Sequence, residues 1–321
     1  MKYSLPLLGV LIMICLLPAC QPATGTQQIP PAVTPPPSRQ SAIPPDAEKM
    51  TPPEDPTPPK LHAEEWLEPV PLPGTVNTAG AEDSPFVSPD GNRLFFFFTP
   101  DVRVPAESQL TDGVTGIYVT RLTADGSNSA NRLQLQDPGK LALDGCPFFD
   151  GNLLWFCSVR EGHTGLHWFQ AELNGDRAIS WQIADFTQTG EVGELHIYQD
   201  ELFFHSEQKD GRGGRDIWRS QLEDGSWQPA VNLSDVNTEA DEGYPFVTAD
   251  GRELWFTRTY QGTPAIYRSL RINEGWESPQ LVISQFAGEP TLDPQGNLYF
   301  VHHFFKAAAM LEADIYVAYR R

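Results

Sequence analysis

The sequence predicts an all-β fold, a five-bladed β-propeller, and three observations carry that prediction. A phrase is written twice: VNTAGAEDSPFVSPDG at residues 76–91 returns as VNTEADEGYPFVTADG at 236–251, and over 76–97 against 236–257 11 of 22 positions are identical. The skeleton of that phrase (an acid, two residues, proline, an apolar pair, a turn, an apolar run, then Ile-Tyr or a relative) recurs in five units spaced by 45 to 60 residues. Aromatics make up 11% of the chain and glycine and proline are plentiful, while no apolar period of 3.6 residues persists over three turns, which favours strands over helices.

Residues 1–19 read as a secretory signal. Lys2 precedes an apolar run from Leu5 to Leu17 that is too short to cross a bilayer and ends at Ala19 before Cys20. LPAC at 17–20 resembles the lipobox of bacterial lipoproteins, which implies a lipid on Cys20 as the anchor. From Gln21 to Lys60 there are 13 prolines in 40 residues and few large apolar side chains, so residues 20–60 are expected to form an extended, disordered tether. Residues 61–321 are expected to be the propeller domain.

The formal charge of −20 argues against nucleic acid as a partner, because phosphate binding relies on clustered Lys and Arg. Membrane contact is expected through the lipid anchor alone.

Each unit offers a strand, a tight turn, a second strand, a looser loop and a third strand. Asp90-Gly91, Asp150-Gly151, Asp250-Gly251 and Gln295-Gly296 stand where a hairpin needs positive φ. Units three and four add a fourth segment, GSWQPAVNL at 225–233 and EGWESPQLV at 274–282. The fifth unit lacks one, and EEWLEPVPL at 64–72 has the same order of Trp, Pro and apolar residues. A ring whose N-terminal strand completes the last blade leaves no open sheet edge. Blades packed on both faces also explain strands such as LFFFF and LWF, which are apolar on both sides.

These residues, NTEADEGYPFVTADGRELWFTR with IYRS, and DGRGGRDIWRS in unit three, resemble the repeats of the TolB-like β-propeller family over residues 64 to 321. The resemblance implies a non-catalytic binding or scaffolding role in the cell envelope, with an envelope protein or glycan as partner. The chain departs from TolB in its lipid-anchor signal, its five units and its lack of room for an extra N-terminal domain.

Acids stand before the inner-strand proline position in four units, as Glu82, Asp144, Glu191 and Glu242, while the fifth has Ala287. Glu194 and Glu289 lie one position before it in units three and five. Inner strands line a propeller's channel, so these carboxylates are candidates for one of its mouths. Three readings are open. Asp144, Glu194 and Glu242 could serve a glycoside hydrolase, which needs two carboxyl groups as acid and as base or nucleophile. The oxygens could hold Ca²⁺, the one cofactor considered. Because the acid recurs with the fold skeleton, it could instead accept backbone N–H bonds at the crossover between blades.

His302 and His303 are adjacent and must point to opposite faces of a strand; with His196 and His205 they are further channel candidates. Trp168, Tyr244 and Tyr260 could stack on sugars or fill the spaces between blades. Cys146 and Cys157 flank a hairpin turn as diagonal neighbours, near the upper limit for a disulfide. Recognition is expected in the parts that do not repeat: residues 99–115, the loop 209–216 with Arg212 and Arg215, and residues 304–313.

Overall fold

A computed structural model describes residues 38–123, 129–273, 275–306 and 309–321. The proposed signal and Cys20 lie outside the described residues. The fold is a β-propeller. The described strands pair into four sheets, the largest of which joins two antiparallel sets through one parallel contact, Ala313 with Ala81; dividing it there, we refer to each antiparallel set as a blade.

Blade one comprises Ala81–Val87, Arg93–Thr99, Gly116–Arg121 and Asn131–Arg132. Blade two comprises Ala142–Phe149, Leu153–Arg160, His167–Asn174 and Arg177–Ile183. Leu195–Tyr198, Glu201–Ser206, Asp216–Glu223 and Val231–Asn232 form blade three. Glu242–Val247, Glu253–Tyr260, Thr263–Ile272 and Gln280–Ser284 form blade four. In blade five Ala287–Leu292, Leu298–Lys306 and Ala309–Ala318 are completed from the N-terminal side by Val70–Pro71, which pairs antiparallel with Val317 and Tyr316. The first strands of all five blades line the axis, where two cavities lie.

The ring closes where the sequence expects it to. Trp66 is bridged to Arg320 and fully buried. Its ring meets Trp255 of blade four edge-on at 5.4 Å, and its indole N–H donates to the Gly296 carbonyl at 2.9 Å. Arg320 and Arg268 stack over it at 4.3 and 5.4 Å. Apolar residues fill the spaces between blades: Leu94, Phe95, Phe96 and Phe98 are all fully buried, as a strand packed on both faces requires.

The repeated phrase works as a crossover clamp. Asn237 exchanges two hydrogen bonds with Ile217 in the third strand of the preceding blade, at 2.8 and 2.9 Å, and Asn77 does the same with Ile315 at 2.9 Å each. Gly91 and Gly251 turn the following hairpins at φ of 74° and 71°.

One expectation is corrected. Residues 38–60 do not behave as a spacer. They lie along blades one, five and four. Arg39 bonds Glu82, Lys49 pairs with Glu312 and Asp314, Asp55 meets His302, and Lys60–Leu61 adds a strand beyond Gln280–Ser284. Composition concealed this because the charged anchors are single residues spaced among prolines, which leave no periodic pattern to read.

Candidate functional site

Four of the first strands contain an X-Pro step at which pairing with the second strand shifts register, between Asp83 and Phe86, Gly145 and Phe148, Gly243 and Phe246, and Gly288 and Thr291. Proline cannot donate to the ladder, so the strand bulges there. The residue before each proline is left-handed: Ser84 at φ 47°, Cys146 at 54°, Tyr244 at 56° and Glu289 at 56°. For a residue with a Cβ this costs roughly 1–2 kcal/mol. Ser84, Tyr244 and Glu289 thereby line the axial cavity beside Pro85, Pro147, Pro245 and Pro290. The third blade has Leu195 in place of proline and pairs without a shift, and Glu194 lines the same cavity.

A plug of rings crosses the axis. Phe148 lies 5.1 Å from Phe86 and 4.8 Å from His196, and His196 lies 4.9 Å from Phe246. Burial lowers the His196 pKa to about 3, so the imidazole is neutral. On the hairpin side of the plug is a cavity of about 790 Å³. On the other side is one of about 40 Å³, lined by Glu194, Glu289, Tyr244 and the prolines.

The carboxylates gather at this second mouth. Asp83, Glu289 and His303 place two oxygens and a nitrogen within 4.8 Å of one another. His303 Nε2 is 3.8 Å from Asp83 Oδ2. Glu289 Oε2 and His303 Nδ1 are buried and have no hydrogen-bond partner. Arg215 donates to the Tyr244 hydroxyl at 3.3 Å, and the Tyr244 N–H donates to His205 Nδ1 at 3.3 Å. Burial, then the charge of Asp83, pushes Glu194 up to about 8 against the pull of Arg215. Burial, then Asp83 and Glu194, raises Glu289 well above the carboxylate range. Burial also opposes the charge on Asp83, but the favourable interaction with the His303 ring, 3.8 Å away, keeps it below the usual value. Burial and mutual repulsion thus favour the protonated forms of Glu194 and Glu289, while Asp83 favours its charge. Two carboxyl groups and an imidazole at these separations offer three ligand atoms to a divalent metal ion, and the carboxyls can pair with an organic cation that displaces their protons.

Several candidates lie elsewhere. Glu82, Asp144 and Glu242 do not reach the channel and are 0–2% exposed. Glu82 and Glu242 accept from the N–H and hydroxyl of Thr78 and of Thr238 at the crossovers; Asp144 is held by Ser158 and Arg160. Asp144 and Glu242 are thus unavailable as acid or base. Glu191 is exposed at a crossover, and Arg212 is exposed with its guanidinium on the Ser234 carbonyl. His302 faces away from the axis and toward Asp55, at 2.8 Å. Trp168 is buried, its indole N–H on the Val192 carbonyl. Cys146 and Cys157 form a disulfide with Cα atoms 5.5 Å apart, because the bulge draws Cys146 nearer than a regular diagonal would.

Asp83 is the site residue that the repeat concealed. It sits beside Glu82, and strand alternation sends the two side chains to opposite faces. The non-repeating segments 99–115 and 209–216 connect second to third strands at the end where the first strands begin, since Ala81 pairs Thr99; residues 304–313, expected as a variable loop, instead extend the second and third strands of blade five, with Phe304 paired to Glu312 and Lys306 to Ala309.

No protein-family model and no curated protein matches the chain. Among solved structures it is similar to TolB from Acinetobacter baumannii, at 14% identity and a TM-score of 0.43 over 76% of this chain and 56% of that one. It is also similar to an endo-arabinase from Bacteroides thetaiotaomicron, at 14% identity and a TM-score of 0.47 over 78% and 97% of the two chains. A third is the GH43B protein of the Bacteroides ovatus xyloglucan locus, at 11% and 0.47 over 77% and 54%. The chain thus spans only about half the length of two of these three.

Proposed function

We propose that this chain is a lipid-anchored binding propeller of the bacterial cell envelope, and that its partner places a positively charged group among Asp83, Glu194 and Glu289. The apolar leader and the LPAC motif that ends at Cys20 support the location. One observation carries the binding mode: Glu289 Oε2 is buried at the axial mouth without a partner, next to two further carboxyl groups. The loop 99–115 leaves its strand at the same end of blade one, and Arg215 of the loop 209–216 bonds Tyr244 there, so a partner's larger surface would rest on these loops. The test is calorimetric titration of the protein with a short oligolysine peptide and, separately, with Ca²⁺ alone. At least one is expected to bind, about tenfold or more weakened in Glu194→Gln/Glu289→Gln, with the melting temperature unchanged or raised. Binding of neither probe would sink this reading.

A second reading rests on the unequal protonation of the same groups. Glu194, held protonated up to about 8, stands near the ionised Asp83, the division of labour that glycoside cleavage requires. Turnover of an oligosaccharide panel that disappears in Glu194→Gln without loss of stability would favour it. Absence of turnover across the panel removes it.

A further inference from the structure

Blades two and four each bury an ion pair above an aromatic pair, on the face turned toward the preceding blade. In blade four Arg258 donates through Nε to Glu242 at 2.6 Å and through Nη2 to the Val236 carbonyl, over Phe256 at 5.4 Å and Tyr267 at 4.6 Å. In blade two Arg160 donates to Asp144 at 2.7 Å, over Phe156 at 5.1 Å and Phe169 at 4.3 Å. In blade two Asp144 stands opposite Ser158, and Arg160 reaches it from two residues further along the strand. Register locates the position of the blade-four pair in blades one and five: Glu242 pairs across the ladder with Arg258, Glu82 with Phe98, and Ala287 with His302. At that position blade one therefore has the acid with no basic residue opposite it, and blade five has the His302 imidazole with no acid opposite it.

The segment 38–60 supplies both missing halves. Arg39 enters blade one from outside and donates to Glu82 at 3.0 Å and to the Val76 carbonyl at 2.9 Å, with the Thr75 carbonyl at 3.0 Å. Its guanidinium lies over Phe96 at 5.2 Å and Tyr118 at 5.4 Å. Val76, Phe96 and Tyr118 stand where blade four has Val236, Phe256 and Tyr267, so Arg39 occupies the place of Arg258. Asp55 meets His302 of blade five at 2.8 Å, both side chains buried. Lys49 adds a third contact, to Glu312 and to Asp314 at 2.5 Å.

We propose that blade one carries a guanidinium-binding site, formed by Glu82, the carbonyls of Thr75 and Val76 and the rings of Phe96, Phe98 and Tyr118, and that Arg39 is its ligand. Residues 38–60 are then a docked strap that locks blade one to blade five across the seam where the ring closes. A guanidinium fits better than an ammonium because its plane stacks on the rings while its edge reaches two carbonyls and a carboxylate.

The full chain provides the test, read by hydrogen exchange over residues 39–60 and by melting temperature. Arg39→Ala should raise strap exchange about tenfold or more and lower the melting temperature. Millimolar ethylguanidinium should restore part of the lost melting temperature in Arg39→Ala, should leave the wild type unchanged, and should fail in Arg39→Ala/Glu82→Gln. Ethylammonium should not substitute. If Arg39→Ala does not fold, Arg39→Lys and Asp55→Asn carry the test, each expected to increase strap exchange while the blade-three amides stay protected. Unchanged strap exchange in these variants, or equal rescue by ethylammonium, overturns the proposal.

Discussion

At the residue scale, neighbouring acids have opposite fates. Glu82 and Asp83 are consecutive, yet one is sealed between blades and the other stands at the axis. Alternation along a strand separates them, and the bulge at Ser84-Pro85 then turns the next side chain inward. The recurrence of Glu82 and Glu242 in the repeat marked them as parts of the fold. It could not mark Asp83, because blade four has Gly243 in that position. The clamp asparagines make a sharper prediction. Asn237→Ala leaves the N–H and carbonyl of Ile217 without partners in a buried crossover, which should cost about 2–4 kcal/mol in urea unfolding. A loss below about 0.5 kcal/mol would contradict the clamp.

At the element scale, the X-Pro step is the device that builds the site. It breaks the ladder at the same point in four first strands and places short-range strain where four chains of side chains meet. The proline was legible in the sequence as part of the skeleton; the left-handed residue before it was not, since Ser, Cys, Tyr and Glu share no preference for that conformation. The closing segment 64–72 was legible through its Trp, Pro and apolar order. Trp66→Ala should remove a fully buried ring from between blades four and five and cost about 3–5 kcal/mol. Thermal and urea unfolding measure it, and a loss under about 1 kcal/mol would mean that closure does not depend on the latch.

At the scale of the whole molecule, buried titratable groups set the dependence of stability on pH. Glu82 is raised to about 7, Glu194 to about 8 and Glu312 to about 8, so each takes up its proton more readily in the folded state. Their contribution is complete below the ordinary glutamate range and is lost as pH rises through about 7 to 8. His196 and His205, both lowered to about 3, act in the other direction: their contribution is complete above the ordinary histidine range and is lost as pH falls toward 3. With three such carboxyls against two imidazoles, the melting temperature should therefore peak near the ordinary glutamate range, at about pH 4.5–5, and fall on both sides, at about 2–4 °C for each kcal/mol lost in a domain of this size. Glu194→Gln should flatten the alkaline arm and His196→Phe the acid arm. A profile that rises steadily to pH 9 would contradict the burial that raises these carboxyls.

The sequence alone determined the repeat, its turns and the segment that completes the last blade, because each is a local pattern written several times in the same register. Only the tertiary structure decided which acids reach the axis and that residues 38–60 belong to the folded body. Both depend on single pairings between distant positions, Asp83 with His303, Arg39 with Glu82 and Asp55 with His302. A lone charge carries no periodic signal, and its value arises only where the opposite charge has already been removed from water.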